Sequence, residues 1–375
     1  MSGHVRHLYV HLPFCAHRCG YCDFVTVVGR EGEHDRYVDA VLRELELEGA
    51  VLAESLETVF LGGGTPTFLN RDALERLLGA LPSAAEVSVE ANPETVTPAL
   101  AQRLRESGVT RISLGAQSFT PRLLGVLERT AQPDDVRAAF YSLRNASFDN
   151  ISLDLIYGIP GQSAADLDRD LDEALTLEPD HLSCYELEAK PGTRFTHTFG
   201  DELTRQADAM EEYFERVVER LTDAGYRWYE TANFCRPGAP AGGVDYRSRH
   251  NLAYWLGRDY LGLGIGAVST VAGERRRNLP GLARYMTALG GGTRPSRELE
   301  QIDDAVSRRE RVMLGLRLDE PLPLAGLEGA LDTTALARLE RLGLAAVAGG
   351  PDDASLALTP RGRFLGGGVT AELLA

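Results

Sequence analysis

The segment His11-Leu-Pro-Phe-Cys15-Ala-His-Arg-Cys19-Gly-Tyr-Cys22-Asp-Phe24 carries three thiols, separated by three and by two residues. It directly follows an apolar run at 5–10 that predicts a β-strand, so it lies in the first loop of the fold. Gly20 and the small Ala16 allow the backbone to wrap closely, and three thiolates of such a loop can converge on one polynuclear metal centre. The segment therefore predicts a metal site at the end of the first strand.

The number of thiols indicates which metal centre this loop holds. A structural iron-sulfur cluster normally has four cysteine ligands, whereas this loop supplies three, and Cys184 and Cys235 lie far along the chain. One iron of a 4Fe-4S cluster is then open to the amino and carboxylate groups of S-adenosylmethionine (SAM), whose sulfonium a reduced cluster can cleave to a 5'-deoxyadenosyl radical. The alternative is a structural zinc ion, with His11 or His17 completing a Cys3His tetrahedron.

Short β-branched runs alternate with longer helical patterns through the first 235 residues, which predicts a parallel sheet with crossover helices. The predicted strands are 5–10, 58–61, 86–91, 110–114, 151–156, 181–187 and 226–231. The predicted helices include 71–78, 98–106, 134–143, 164–175 and 204–222, after one with Val38, Val41, Leu42 and Leu45 on its apolar face. Such units form a full or partial barrel or a doubly wound sheet, and both architectures gather the active site at the C-terminal strand ends.

Four further predicted loops carry residues that suit an amino-acid-like cofactor. The second strand runs into Gly62-Gly63-Gly64-Thr65-Pro66-Thr67, where consecutive glycines allow close approach of a ligand and offer amide donors. The next three strands end near polar side chains that suit a sulfonium and two ribose hydroxyls: Glu90, Gln117 and Asp154. Arg129 could donate to the SAM carboxylate. The alternatives are a tight turn, ordinary caps and loop hydrogen bonds, and a surface ion pair between Arg129 and Glu128.

Composition narrows the class of protein. A chain of 375 residues predicts two domains, and a net charge of -16 argues against nucleic acid as a partner. No apolar run approaches the roughly 20 residues of a membrane span, and the N-terminus lacks the features of a signal peptide. Five cysteines, three of them clustered, do not form a secreted disulfide framework. We therefore expect a cytoplasmic protein without a transmembrane segment.

The pattern changes after about residue 290. Two helices are predicted at 306–314 and 334–342, followed by short strands at 344–347 and 356–358, and this order resembles a winged-helix module. Arg338 and Arg341 share their helix with Glu340 in an acidic chain. A packing or partner-docking domain is therefore favoured over a DNA-binding one.

Together these motifs resemble the radical SAM proteins grouped with oxygen-independent coproporphyrinogen III oxidase, and within that group the HemW-type haem chaperones. The matching stretches cover nearly the full length: Tyr9-x-His11-x-Pro-Phe-Cys15, the three-cysteine loop, Gly62 to Thr67, Glu90-Ala-Asn-Pro, Gly115-Ala-Gln-Ser-Phe, Asp154-Leu-Ile-Tyr-Gly-Ile-Pro-Gly, Tyr229-Glu-x-x-Asn-Phe, His250-Asn251-Leu-Ala-Tyr254-Trp255 and Leu358-Thr-Pro-Arg-Gly362. The resemblance implies an α/β fold. It places a partial (β/α)6 TIM-like radical SAM barrel at 1–235, a connecting segment at 236–295 and a small C-terminal α+β, winged-helix-like domain at 296–375.

The resemblance also implies functional residues. Cys15, Cys19 and Cys22 are the implied cluster ligands. The implied SAM contacts are Tyr9, Gly63, Gly64, Thr65, Glu90, Gln117, Arg129 and Asp154. The implied haem-binding residues are His250, Asn251, Tyr254 and Trp255, since an imidazole can ligate iron and the aromatic pair can cover a porphyrin face. The alternative for this last stretch is a packed domain edge, and buried inert thiols are expected at Cys184 and Cys235.

One position separates the two branches of the group. The oxidases carry a further cysteine two residues after the cluster triplet, where this chain has Phe24. The resemblance therefore implies a haem chaperone that binds a 4Fe-4S cluster, SAM and haem as cargo. Its implied partners are an electron donor protein and haem-accepting proteins such as respiratory-chain components. Two alternatives stay open: oxidative decarboxylation of coproporphyrinogen III and a zinc-stabilised interaction scaffold.

Overall fold

A computed structural model describes residues 4–188, 190, 194–238, 244–350 and 353–374. Strands and helices alternate in its first part. The strands are β1 (His7–Leu12), β2 (Leu56–Gly63), β3 (Ala84–Ala91), β4 (Arg111–Gln117), β5 (Ile151–Tyr157) and β6 (His181–Glu186). The helices are α1 (His34–Glu48), α2 (Arg71–Ala80), α3 (Pro98–Glu106), α4 (Pro121–Val126), α5 (Pro133–Asn145), α6 (Ala164–Thr176), α7 (Arg194–Gln206) and α8 (Met210–Asp223).

The order of the strands decides between the two predicted architectures. β1 to β6 lie side by side in chain order, and each neighbouring pair is parallel. A doubly wound sheet reverses its strand order at a switch point, and these six strands do not. The antiparallel strands β7 (Arg227–Glu230) and β8 (Asn233–Cys235) extend the sheet beyond β6. The predicted partial (β/α)6 barrel is confirmed.

Local sequence signals set the helix ends. Ser163 caps α6 by accepting from the backbone N–H of Asp166, whose carboxylate in turn accepts from the Ser163 N–H. Thr97 caps α3 by accepting from the backbone N–H of Leu100, with Pro98 at the first helical position. The single helix predicted at 204–222 is wrong, because a 3-10 turn at Ala207–Ala209 separates α7 from α8. That turn carries no glycine or proline to signal it.

The segment after β8 returns to the barrel. It forms α9 (Arg249–Trp255), β9 (Leu261–Leu263), β10 (Val268–Val271), β11 (Glu274–Asn278), α10 (Leu282–Gly290) and β12 (Arg297–Gln301). β9 pairs in parallel with β1 and becomes the other edge of the main sheet. At Gly264 a Cβ would lie 2.5 Å from the His11 carbonyl oxygen and 2.6 Å from the Tyr37 hydroxyl. The glycine-rich stretch 260–267 therefore brings the chain close to β1 and α1.

A buried carboxylate fixes this segment against α1. Glu44 accepts hydrogen bonds from the backbone N–H of Gly264 (2.9 Å), from Asn278 (2.8 Å) and from Tyr285 (2.6 Å), and it pairs with Arg297 at 2.9 Å. Because a buried charge is tolerated only with such partners, α1, β11, α10 and β12 are held together at one point.

The C-terminal residues build a second core. They form α11 (Asp304–Gly315), β13 (Leu322–Pro323), α12 (Thr333–Arg341), β14 (Ala345–Ala348), β15 (Ser355–Leu358), α13 (Pro360–Phe364) and α14 (Gly366–Leu373). The strands pair antiparallel in the order β13-β15-β14 around buried Val312, Leu339 and Leu356. The predicted small α+β domain is confirmed, while its exact limits stay a prediction. Across the described ranges, we find no helix with the length and apolar character of a membrane span.

Candidate metal and cofactor site

A cavity of about 490 Å³ opens at the C-terminal ends of the parallel strands and extends into the barrel. Every predicted cluster and SAM residue lines it: Tyr9, Cys15, Cys19, Cys22, Gly63, Gly64, Thr65, Glu90, Gln117, Arg129 and Asp154. These residues come from loops far apart in the sequence, so the barrel topology brings them together. The volume lies within the usual range for small-molecule sites, roughly 300 to 1000 Å³.

The cysteine loop is closed at its base by backbone hydrogen bonds. The N–H of Cys15 donates to the carbonyl of Val27 at 3.0 Å, and the N–H of Val27 donates to that of Pro13 at 2.8 Å. Within the loop, the Cys22 N–H donates to the Cys19 carbonyl at 3.2 Å. All three thiols are partly exposed and line the cavity. The loop thus presents them on one side.

Two donors from other loops reach the sulfurs. The Thr65 hydroxyl donates to Cys15 Sγ at 3.5 Å, and Arg129 Nη1 donates to Cys19 Sγ at 3.8 Å. Donors to sulfur stabilise a thiolate and tune an iron-sulfur cluster. Burial raises the pKa of Cys15 to about 11 and also raises that of Cys22. Metal binding must therefore displace thiol protons.

The geometry makes His11 a poor ligand for a single zinc ion. Both of its ring nitrogens are engaged, Nδ1 with the Tyr9 hydroxyl at 3.0 Å and Nε2 with the Val25 carbonyl at 2.8 Å. His17, the other candidate for a Cys3His site, is exposed in the cysteine loop. Among the residues whose placement is described, no three His, Cys, Asp or Glu side chains are arranged to hold one ion.

The glycines allow β2 to end against the cysteine loop. Gly63 has a φ of +109°, and its N–H donates to Glu90 Oε2 at 2.9 Å. At Gly64 a Cβ would lie 2.7 Å from both the carbonyl carbon and oxygen of Pro13. The Gly64 N–H donates to the Leu12 carbonyl at 2.8 Å. Side chains are therefore excluded here, and the backbone itself forms the cavity wall.

Two of the carboxyl groups that line the cavity, those of Glu90 and Asp154, were predicted to bind SAM. Burial raises the pKa of Glu90 to about 7, and the nearby Asp154 adds to this, while the hydrogen bond from Gly63 opposes it. Burial likewise raises the pKa of Asp154, although Ser113 donates to it at 2.9 Å and Ser152 at 3.3 Å. A cationic ligand in the cavity would favour the ionised form of both groups.

Arg129 lies inside the site and not on the surface. Its Nη2 donates to Asn92 Oδ1 at 3.0 Å and to the Gly115 carbonyl at 2.9 Å. Its Nε is buried, with no hydrogen-bond partner in the described part of the chain. An unpaired buried donor beside a cavity fits an anionic group such as a ligand carboxylate. Gln117, at a φ of +65°, follows a β-bulge that turns its side chain toward the same cavity.

The chain is similar in sequence to known proteins along its whole length. A sequence model of the Radical SAM superfamily matches residues 9–174. The heme chaperone HemW of Mycobacterium tuberculosis is 39% identical, in a match that covers 100% of this chain and 96% of that relative. The chain belongs to the HemW family of radical SAM proteins. The heme chaperone HemW of Escherichia coli is 37% identical over 69% of this chain and 68% of its own length.

A solved structure shows the same fold as this HemW-family chain. Coproporphyrinogen III oxidase HemN from Escherichia coli, a radical SAM enzyme, matches with a TM-score of 0.82 over 99% of this chain and 90% of its own. The two sequences are 23% identical, so the likeness concerns the fold. Membership in the radical SAM superfamily implies a 4Fe-4S cluster and SAM. The three thiols, the glycine wall and the unpaired Arg129 Nε fit these groups.

The four residues predicted for haem binding do not share one environment. His250, Asn251 and Tyr254 line the cavity. His250 is 1% exposed, with Nδ1 bonded to the Thr58 hydroxyl and Nε2 to the Tyr254 hydroxyl, both at 2.8 Å. Burial lowers its pKa to about 3. Trp255 instead packs with Tyr229 and Leu318, and the Arg317 guanidinium lies 4.3 Å from its ring centre.

Other cavity residues were not predicted as ligand contacts. Asn92 bridges two predicted ones, because it donates to the Thr65 hydroxyl at 3.1 Å and accepts from Arg129. Its position just after β3, two residues beyond Glu90, was the available signal. Tyr21 and Tyr185 also line the cavity, and neither has a sequence context that marks it. Cys184 and Cys235 are buried, as predicted for inert thiols.

Proposed function

We propose that this protein is a haem chaperone, which binds a 4Fe-4S cluster, SAM and haem and passes haem to acceptor proteins. The observation that carries the proposal is the identity of 39% over the whole chain to a protein named heme chaperone HemW. We further propose that it works in the cytoplasm with an electron donor protein, and that its acceptors include respiratory-chain components. The acidic net charge of -16 supports protein partners over nucleic acid.

Each predicted site residue has a proposed task. Cys15, Cys19 and Cys22 hold the cluster, which supplies an electron to SAM when both are bound. Glu90, Asp154 and Gln117 bind the cationic and hydroxyl-bearing parts of SAM, and Tyr9 closes the same wall. Arg129 Nε binds the SAM carboxylate, while the amides and hydroxyl of Gly63, Gly64 and Thr65 border its amino-acid end. His250, Asn251, Tyr254 and Trp255 stay the sequence-based candidates for haem binding.

Phe24 argues against the oxidase function. It occupies the position of the additional cysteine of the oxidases, lines the cavity and is 61% exposed. A phenyl ring offers no thiol for radical chemistry. We therefore favour the chaperone, in which porphyrin is carried and not converted.

Haem binding and transfer test this function directly. The chain is reconstituted anaerobically with iron and sulfide and titrated with haem, and the complex is then mixed with apomyoglobin. We expect a saturable haem spectrum, followed by the spectrum of holomyoglobin. Turnover of coproporphyrinogen III without haem binding would favour the oxidase, and a colourless zinc protein would favour the scaffold.

The raised pKa of Glu90 predicts a pH dependence of SAM binding. A carboxyl group with a pKa of about 7 is mostly protonated at pH 6 and mostly ionised at pH 8, and the SAM sulfonium prefers the carboxylate. We expect the Kd for SAM to tighten about tenfold between these pH values. Isothermal titration of the anaerobic holoprotein measures it. Glu90→Gln should remove this slope, and Glu94→Gln, at an exposed carboxylate nearby, should keep it.

The Glu90 carboxyl group also affects the stability of the fold. A rise in pH strengthens SAM binding through this group, but it lowers the free energy of unfolding. Because the folded state raises the pKa of Glu90 above its ordinary value, folded protein binds this proton more tightly than unfolded chain. The contribution of Glu90 to the free energy of unfolding is therefore fully present below the ordinary value and is lost as pH rises through about 7. SAM should offset that loss.

A further inference from the structure

The residues that suit the cluster and SAM limit where haem can bind. They line the walls of the cavity, so both ligands would cover these walls when bound. A porphyrin that binds at the same time would then meet the side chains that are exposed at the cavity mouth.

Three buried histidines of the barrel, His250, His11 and His181, are poorly placed as iron ligands. His250 and His11 use both ring nitrogens in hydrogen bonds. His181 does the same, with the Ser152 and Tyr229 hydroxyls, each at 2.8 Å. Ligation by any of them would break buried hydrogen bonds and leave their partners unpaired, which is unfavourable in the protein interior.

His17, in contrast to these buried histidines, is exposed at the cavity and has only a weak contact to lose. It lies in the cysteine loop, lines the cavity, and its side chain is 46% exposed. Its Nε2 lies 3.8 Å from Glu128 Oε2, a long and solvent-exposed pair that contributes little to stability. The imidazole can therefore exchange this contact for a bond to iron, and a nearby carboxylate is a common partner of ligating histidines.

Phe24 and Arg18 complete the chemistry that a porphyrin needs. Phe24 lines the same cavity and, among the described aromatic residues, has the largest exposed fraction, 61%. An exposed phenyl ring offers a face for stacking on a porphyrin. Arg18 is exposed at the cavity, where it donates to the Cys22 carbonyl at 3.3 Å, and a guanidinium suits a propionate carboxylate. In a chain of net charge -16, a local cation favours the binding of a ligand that carries carboxylates.

We propose that haem binds at the cavity mouth, with His17 as an axial ligand of the iron, Phe24 against the porphyrin face and Arg18 toward a propionate. This inference rests on the proposed chaperone function. In this arrangement haem lies beside the cysteine loop. His250 does not ligate iron, and its hydrogen bonds hold Tyr254 and Thr58 in place within the barrel.

Haem titrations of matched variants test this site. His17→Ala and Phe24→Ala are compared with His4→Ala and Tyr141→Ala in reconstituted holoprotein. His4 is also an exposed histidine paired with an acid, Asp259 at 3.3 Å, and Tyr141 is 55% exposed, yet neither lines the cavity. We expect His17→Ala to weaken haem binding at least tenfold and Phe24→Ala about threefold, with both controls unchanged. Free imidazole should restore the ligand spectrum of His17→Ala.

The outcomes separate the two proposals. If the wild-type holoprotein binds no haem, the chaperone function itself is wrong. If wild type binds haem and both His17→Ala and Phe24→Ala retain its affinity and imidazole-type spectrum, the mouth site is wrong and the function stands. Iron and sulfide content is measured for each variant. If His17→Ala loses its cluster, the mouth site is tested with Phe24→Ala and Arg18→Ala, which change exposed residues. Wild-type haem affinity in both of these variants would then show that the mouth site is wrong.

Discussion

Replacing Cys15, Cys19 or Cys22 by alanine is expected to remove the iron-sulfur cluster from the protein. The loop supplies three thiolates to a cluster that has four irons, so the loss of one leaves two irons without a protein ligand. The other two cysteines cannot substitute, because Cys184 and Cys235 are 3% exposed within the core. Iron and acid-labile sulfide after anaerobic reconstitution should both fall to background, and the brown colour should be lost.

Cys184→Ala and Cys235→Ala are the matched controls. Each removes one thiol from the same chain but leaves the loop intact, and each should cost about 1 kcal/mol of stability through lost packing. Both variants should retain the wild-type iron content. Loss of the cluster in these two variants, together with its retention in the loop variants, would show that the cluster is held elsewhere.

The second large effect is expected for Gly64→Ala. The added Cβ would lie 2.7 Å from backbone atoms of Pro13, which cannot rotate away as a side chain can. The end of β1 or of β2 must shift, and the cysteine loop begins two residues after Pro13. We expect a loss of about 2 to 3 kcal/mol in the free energy of unfolding. We also expect SAM binding to fall below detection in titrations of the reconstituted protein.

Gly79→Ala provides the comparison for this substitution. Gly79 lies in α2, and beyond its chain neighbours and its own helix backbone no atom of the described residues lies within 4 Å of its added Cβ. The same change there should raise stability by about 0.5 to 1 kcal/mol, because alanine favours the helix. Wild-type stability and SAM affinity in Gly64→Ala would mean that the glycine wall is an ordinary turn and not a close-packed part of the site.

The barrel strands were predictable because each is a buried, β-branched run with a turn signal after it. Their C-terminal ends also carried Glu90, Gln117 and Asp154, and parallel pairing dictates that such ends meet at one rim. β9 was not predicted as a strand, since three residues with a central glycine show no periodicity and little strand propensity. β11 was hidden by the charged run Glu274-Arg-Arg-Arg277, whose arginines pair with acids such as Glu48, Glu300 and Glu310.

The haem motif shows what a sequence pattern leaves open. His250 and Tyr254 are four residues apart on α9, so their side chains share one face and bond to each other at 2.8 Å. Trp255 is five residues from His250, and a helix rotates its side chain onto another face. There it meets Arg317 next to the C-terminal domain. The structure therefore shows that His250 and Tyr254 line the cavity while Trp255 packs outside it, which the sequence motif alone does not show.

Binding of SAM to an open iron of the cluster can be observed in the electron paramagnetic resonance spectrum of the reduced cluster, recorded with and without SAM. We expect four irons per chain and a signal that changes when SAM is added, because one iron has no protein ligand and SAM occupies that position. An unchanged signal at saturating SAM, or a spectrum that requires a fourth protein ligand on the cluster, would contradict this expectation.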